Sequence, residues 1–491
     1  MKKKAVVIGG GFGGLSCAAL LARDGFDVTL LEKLETMGGR ARSWQTEGYN
    51  FDLGPSWYLM PEVFERYFSL FGKQRSDYYD LLPLDPYYKV FFGKGESALL
   101  GTRQQENYAL FESFEDGGGE QLKRYIEQAS YKYDVAMKEF LYRDYRHIGQ
   151  FFNRRLMTEG LRLGIFKKLD SFVSTYVKDR RAKQILEYAM VFLGTDPVDA
   201  PAIYSIMSHV DLGLGVFFPE KGMAGAAQGF VKLCEELGVR LINNCEVNRI
   251  QVVQGKASSV ETSVGTFEAD VVVSGADYQH VETQLLPSQY SFYKKSYWER
   301  KVVAPSMFIA YLGINRRLKG LEHHNLYFSE DWGKHFDTIF KQPAWPDKPC
   351  FYLSCISKTD PSSAPAGSEN VFLLVPTAPG LADDETQRER YYRHVIDHVR
   401  EVTGEDLDKD VIVRRIFSQR DFIENYHAYK GTALGLSHTL FQTAVFRPSM
   451  RSKKVENLYY TGQYTHPGVG VPMVLIASEL VAKAVGERYA R

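Results

Sequence analysis

Residues 4–33 read KAVVIGGGFGGLSCAALLARDGFDVTLLEK. Residues 5–8 form a short β-branched run, Gly9, Gly11 and Gly14 follow in GxGxxG spacing, and a helical pattern continues through Ala22 to a stop at Gly25. A second strand over 27–31 ends at the acid Glu32, 18 positions after Gly14. Strand, glycines, helix, strand and acid together predict a βαβ unit that holds a dinucleotide. In such a unit Gly9 makes the turn, Gly11 lets backbone approach a pyrophosphate, and Gly14 packs the helix onto the strand. The pyrophosphate sits at the helix N-terminus, where free N–H groups and the helix dipole favour negative charge. Glu32 then accepts hydrogen bonds from the ribose hydroxyls, and its charge repels a 2′-phosphate.

The next segment, EKLETMGGRARSW at 32–44, carries Gly38, Gly39 and Arg40 directly after Glu32 and Lys33. It resembles the extended FAD motif of the flavoprotein superfamily typified by amine oxidases and glutathione reductase. The resemblance implies that Lys33, Gly38, Gly39 and Arg40 run along the dinucleotide, a placement that suits a rigid guanidinium fork beside the pyrophosphate. Residues 222–277 predict a helix, short strands and an apolar strand over 270–274, the remaining strands of such a fold, with the Val247 backbone a candidate for the adenine edge. The expected class is α/β: a discontinuous Rossmann-like FAD-binding domain over 1–62, 219–288 and 430–491. A mixed-sheet plus helical substrate domain fills 63–218 and 289–429. A second strand–GxGxxG–helix unit with a following acid does not occur, so a resident NAD(P) site is not expected, and oxygen or a quinone is the expected electron acceptor.

Near the C-terminus, residues 459–485 read YYTGQYTHPGVGVPMVLIASELVAKAV. Two Pro and two Gly crowd the approach to a well-patterned last helix, a composition that leaves backbone bare for close approach by a ligand. Gly462, Gly470, Val471, Pro472 and Met473 are the expected cofactor contacts here, with the helix N-terminus facing the pyrophosphate. His466 is the titratable group nearest this loop. It either takes up a proton in catalysis or holds the loop by a hydrogen bond.

Residues 57–92 contain 12 aromatics in 36 positions, against 14% in the whole chain. Composition alone supports a core and a channel for a long apolar ligand equally. Residues 120–195 read as helical, and 151–177 mix Phe152, Phe166 and Phe172 with Arg154, Arg155, Lys167 and Lys168. That pattern fits a domain helix with a solvated charged face or a basic amphipathic patch on anionic lipid.

The chain of 491 residues, with 44% hydrophobic content, can bury a large core, and its 60 acidic and 60 basic side chains give no electrostatic argument for nucleic acid. Five scattered Cys form no CxxC or Cys/His cluster, so neither a disulfide framework nor a metal site is expected, and a reducing cytoplasm is the simplest setting. Five Gly interrupt the apolar stretch near the N-terminus, against a secretory signal, and no unbroken apolar run approaches the ~20 residues of a membrane span.

Five segments carry a resemblance to the bacterial and fungal phytoene desaturases and related carotene desaturases and oxidases: GGGFGGL at 9–15, EKLETMGGRARSW at 32–44, FDLGPSWYLMP at 51–61, FPEKGMAGAAQGFVKL at 218–233, and LYYTGQYTHPGVGVPMVLIASELVA at 458–482. Gln463 departs from the acidic residue that many relatives in the wider superfamily place near the ribityl chain. The resemblance implies FAD contacts at Gly54, Pro55 and Ser56, tunnel walls at Trp57 and Tyr58, and desaturation of an acyclic polyene, foremost phytoene towards lycopene or neurosporene, by hydride transfer to flavin N5. At ~0.8 kcal/mol per buried CH₂, so large a hydrocarbon does not diffuse freely through water. It is drawn from a bilayer, which favours the lipid-docking reading of Arg154, Arg155, Phe166, Lys167 and Lys168, on the inner face of the cell membrane. The alternatives are a terminal carotenoid oxidase or ketolase, a 3,4-desaturase, an isomerase, an amine oxidase, and a flavin-free lipid escort protein.

Overall fold

The structure, a computed structural model, describes residues 2–145, 164, 167–190, 193–329 and 331–489. The N-terminal unit consists of β1 (Lys4–Ile8), α1 (Phe12–Arg23) and β2 (Asp27–Leu31). β1 and β2 pair in parallel, from Lys4 opposite Asp27 to Ile8 opposite Leu31. Val271–Ser274 and Leu458–Tyr460 extend the parallel sheet beyond β1, and Arg240–Ile242 extends it beyond β2. Both faces are covered, as an all-parallel sheet requires. Ala5 and Val7 point at Leu15, Phe230 and Leu475 of three helices, α1, Gly222–Glu236 and Val471–Tyr489. Val6 and Ile8 point the other way, at Ile250 and Val260 of an antiparallel sheet formed by Val247–Val253, Lys256–Thr262 and Gly265–Glu268. The apolar strand expected from residue 270 begins at Val271, and Asp270 instead accepts from the Lys4 amide.

A seven-stranded mixed sheet forms the second layer. Its order is Val411–Phe417, Ser306–Ile314, Glu369–Thr377, Phe351–Ser354, His324–Tyr327, Tyr88–Gly93 and Glu96–Leu100. All neighbours are antiparallel except His324–Tyr327 and Tyr88–Gly93. All nine residues of Ser306–Ile314 are buried. Phe308, Ala310 and Leu312 pack beneath Tyr391, Val395 and Val399 of the helix Glu385–Thr403, whereas Met307 and Ile309 belong to the opposite face.

The aromatic run after residue 57 resolves as core. The helix Pro61–Ser69 begins with proline at its first turn and lays Phe64, Tyr67 and Phe68 around Phe230, with centroids 5.0–6.5 Å away. The Tyr67 hydroxyl donates to the Ser16 carbonyl at 2.9 Å. Tyr58 corrects the expectation of a tunnel wall: its ring is fully buried, stacks on Phe64 at 4.3 Å, and its hydroxyl pairs with that of Tyr79 at 2.8 Å.

Within 120–195 the described α-helices are Gly118–Val135, Leu169–Val173 and Arg180–Glu187, the first continued by a π-helical turn over Ala136–Leu141 and the last capped by Asp179. Arg154, Arg155 and Phe166 of the expected lipid patch lie outside the described residues. Lys167 and Lys168 are exposed, and Lys168 lies 3.7 Å from Asp199. Among the described residues no helix is long and apolar enough to cross a membrane.

Candidate active site

A cavity holding about 650 Å³ reachable by the centre of a water molecule runs from the carboxyl ends of β1 and β2 to the inner face of the seven-stranded sheet. Its first part is a glycine cradle. Gly9, Gly11, Gly38 and Gly39 line it at the start of α1, and a Cβ on Gly39 would come within 2.9 Å of the Gly11 Cα, so two bare backbones meet there. Gly14 stays behind the wall, where a Cβ would lie 1.8 Å from the Gly9 carbonyl oxygen: helix and strand are in contact at that point.

Glu32 stands at the tip of β2, buried, with Oε2 accepting from the Gly10 amide at 2.6 Å and Oε1 from the Leu34 amide at 2.9 Å. Burial raises its carboxyl pKa. Lys33 donates to the Glu424 carbonyl at 2.6 Å and lies 3.7 Å from Glu246 Oε1. The Val247 backbone expected at the adenine edge lines the same end, beside Cys245 and Glu246. Arg40 holds its guanidinium 5.1 Å over the Tyr426 ring, and its Nε is buried without a hydrogen-bond partner. Gly54 admits no side chain, since a Cβ would meet the Arg40 carbonyl oxygen at 2.4 Å; Pro55 and Ser56 continue the wall.

The C-terminal loop arrives opposite the cradle. Gly462, Gly470, Val471, Pro472 and Met473 all line the cavity, the last three in the first turn of the helix Val471–Tyr489. Gln463 lines it too, with its buried Nε2 unpartnered. The residues present fit FAD: an acid at the ribose end, bare glycine backbone from two chain segments, an unpartnered arginine donor, and a helix start at the diphosphate position.

His466 is buried on the cavity wall. Its Nε2 lies 3.1 Å from the Leu141 carbonyl, which places the ring proton there, and leaves Nδ1 as an unpartnered lone pair. Burial lowers its pKa to about 4, so the ring is neutral near pH 7. Trp57 also lines the cavity, with its indole stacked on His324 at 4.3 Å. Ser56 accepts from the Tyr352 hydroxyl at 2.9 Å, and that hydroxyl also meets His324 Nδ1 at 2.7 Å.

Several wall residues were not singled out from the sequence. Asp277, just past the strand Val271–Ser274, accepts from the Tyr464 hydroxyl at 2.6 Å. An acid at a strand end is the signal that singled out Glu32, and it was available here. Beyond the cradle the walls turn apolar, through Leu326, Phe328, Trp332, Phe336, Ile339 and Leu374. These come from strands and a helix whose sequences carry no motif; only the folded sheet gathers them. Among the described residues no cluster of His, Cys, Asp and Glu has the form of a metal site.

The family model for flavin containing amine oxidoreductases matches residues 12–486. The chain is 45% identical over 486 residues to the carotenoid 3,4-desaturase of Haloarcula japonica, covering 99% of this chain and 98% of that one. It is 31% identical to the zeta-carotene-forming phytoene desaturase of Myxococcus xanthus, over 98% of this chain and 93% of that one. Among solved structures, an oxidoreductase from Methanosarcina mazei superposes with a TM-score of 0.66 at 15% identity, over 98% of this chain and all of that one. A putrescine oxidase variant superposes with a TM-score of 0.62 at 12% identity, over the whole of both chains. Likeness at such low identity speaks for the fold alone, whereas the sequence relatives span the full length with the glycine cradle included. The chain belongs to the flavin containing amine oxidoreductases, among the carotenoid desaturases of that family, and is an FAD-dependent oxidoreductase.

Proposed function

We propose that the protein desaturates an acyclic carotenoid. The observation that carries this reading is the continuity of the cavity: a polar dinucleotide cradle opens without a break into a wall of Leu, Ile, Phe and Trp side chains. An elongated hydrocarbon lies along such a wall without leaving buried polar groups unpaired. Bound FAD supplies a two-electron acceptor that takes a hydride from an allylic carbon. The neighbouring C–H then gives up a proton, so two C–H bonds break and one C=C forms. The residues contribute alignment and dryness. Trp57 and Phe328 confine the chain sideways, and Met307 and Ile309 form its floor. The His466 Nδ1 lone pair is the proton acceptor. A base with a pKa of about 4 is strong enough, because a C–H beside an allylic cation is strongly acidic.

Phytoene, the substrate expected from the sequence, is one reading. Introduction of a 3,4 double bond into a more unsaturated carotenoid is the second, and the 45% identity to the Haloarcula japonica enzyme against 31% to the Myxococcus xanthus one favours it. Membrane docking through Lys167, Lys168 and the neighbouring basic residues, and reoxidation by oxygen or a quinone, complete the proposal. The test is expression in bacteria that accumulate phytoene and, separately, lycopene, with the pigments read by absorption spectrum and mass. A two-hydrogen loss from lycopene but none from phytoene selects the second reading. A flavin-loaded protein that changes neither pigment overturns the carotenoid assignment.

A further inference from the structure

The loop that closes the flavin end of the cavity hangs on a buried cation. Arg447 is 4% exposed, and among the described residues no carboxylate accompanies it. Its guanidinium donates to main-chain carbonyls: Nη2 to Gln463 at 2.6 Å, Nε to Tyr464 at 3.2 Å, Nη1 to Gln442 at 3.0 Å, and Nη2 more loosely to Leu436 at 3.5 Å. Burial pulls its pKa down to about 10, which leaves it charged near neutral pH. No anion offsets it among the described ionisable groups around it: the phenols of Tyr204, Tyr297 and Tyr464, the imidazoles of His438 and His466, and a second cation, Lys301. Burial and Arg447 itself lower the proton affinities of Lys301 and of both imidazoles. A cation buried without a counter-charge is expensive, and a neutral donor would brace a loop at smaller cost.

Peptide geometry shows what the charge and the fork achieve together. Gln463 and Tyr464 line the cavity, whereas Arg447 lies behind them. The peptide between Gln463 and Tyr464 is trans, so its N–H points opposite to its C=O. Pinning the Gln463 carbonyl back on the guanidinium therefore turns the Tyr464 N–H to the other side, into the cavity. The next amide is already committed, since the Thr465 N–H donates to the Gly462 carbonyl at 3.3 Å. Tyr464 is fixed at its far end as well, through its hydroxyl on Asp277 at 2.6 Å.

We propose that Arg447 is a positioning residue for the redox step: it presents the Tyr464 N–H to the flavin and sets a permanent positive charge behind that amide, biasing the bound flavin towards its reduced form. Reduction adds two electrons to the ring system, and an aimed N–H dipole backed by an unscreened cation favours the added negative charge. The inference rests on the reading of the cavity as an FAD site.

The test compares wild-type holoenzyme with Arg447→Met and Arg447→Lys, measuring flavin per protein and the midpoint potential by equilibration with a reference dye. In Arg447→Met the reduction equilibrium shifts against reduced flavin by tenfold or more, about 30 mV for a two-electron couple. Arg447→Lys keeps the charge and loses the fork, so it recovers most of the potential while holding less flavin. An Arg447→Met protein with bound flavin at the wild-type potential overturns the proposal. If that variant does not fold, the lysine variant decides: a potential displaced by tenfold or more there makes charge irrelevant. Loss of folding in both makes Arg447 a structural brace and equally overturns it. Wild-type protein that takes up no FAD refutes the underlying cofactor reading instead.

Discussion

His427 lies flat on His280, with ring centroids 4.0 Å apart and planes within 5° of each other. The two rings come from distant parts of the chain, His280 just past the parallel-sheet strand Val271–Ser274 and His427 at the end of the helix Gln419–Tyr426. Both line the cavity at the Glu32 end, and His427 Nε2 also meets Glu246 at 2.9 Å and Lys33 at 3.2 Å. The cluster closes the Glu32 end of the cavity with parts from distant segments of the chain.

His427→Ala is expected to loosen FAD. A stacked ring pair contributes about 0.5–1.5 kcal/mol, so the dissociation constant rises by about 2–10-fold, read by titrating apo-protein with FAD fluorescence. Acid acts on the same cluster. Burial and the neighbouring His427 lower the His280 pKa to about 4, from an ordinary value of 6.5. Protonation therefore opposes the closed arrangement, in which Lys33 already carries positive charge against Glu246, and FAD release sets in as the pH falls towards 4. Retention that is flat down to pH 4 would contradict this role.

Glu32→Ala removes the acceptor for the Gly10 and Leu34 amides as well as the proposed ribose contact. The expected product is folded but largely flavin-free protein. The ratio of visible to ultraviolet absorbance after gel filtration measures it, and full flavin occupancy would refute the N-terminal assignment.

Gly14→Ala drives a methyl group into the Gly9 carbonyl, 1.8 Å away. Relief requires α1 to move off the sheet, at a cost of about 1–3 kcal/mol or more. The melting temperature falls, in apo-protein as in holoenzyme, which separates this packing defect from a binding defect.

His466→Gln is expected to lower kcat by about 10² while leaving flavin content unchanged, in the range of a lost general base. On the proposed role the neutral ring is the active form, so the rate is expected to stay level from pH 8 to 6 and to decline only near the pKa of about 4. A loss smaller than tenfold on substitution assigns proton removal to water.

Replacing Arg154, Arg155, Lys167 and Lys168 by Glu is expected to abolish flotation with anionic liposomes. Undiminished flotation leaves these residues as an ordinary solvated face.

The N-terminal unit was legible because each residue in it obeys a local constraint: Gly14 contacts the Gly9 backbone, and Glu32 directly follows a strand five residues long. The C-terminal loop was legible for the same reason. The aromatic run was not, since ring density is identical for a core and a channel wall; Tyr58 and Phe68 pack on Phe64 and Phe230, while only Trp57 among the twelve faces the cavity. His427 was invisible because its partners lie far away in sequence, and Arg447 because its nearby partners are main-chain carbonyls, which leave no side-chain pattern to read. Leu326, Trp332 and Phe336 sit in segments that are apolar for any buried purpose, and only strand order brings them to one wall.

The strand Ser306–Ile314 divides its work by parity. Phe308, Ala310 and Leu312 are locked under a helix, while Met307 and Ile309 pack into the opposite core cluster and line the cavity. Successive residues thus answer to different selective pressures. On the proposed reading of the cavity, exchanging a side chain at 307 or 309 re-cuts the channel for a longer, bent or more oxidised polyene without disturbing the helix-covered layer behind, giving one scaffold a short route to new products.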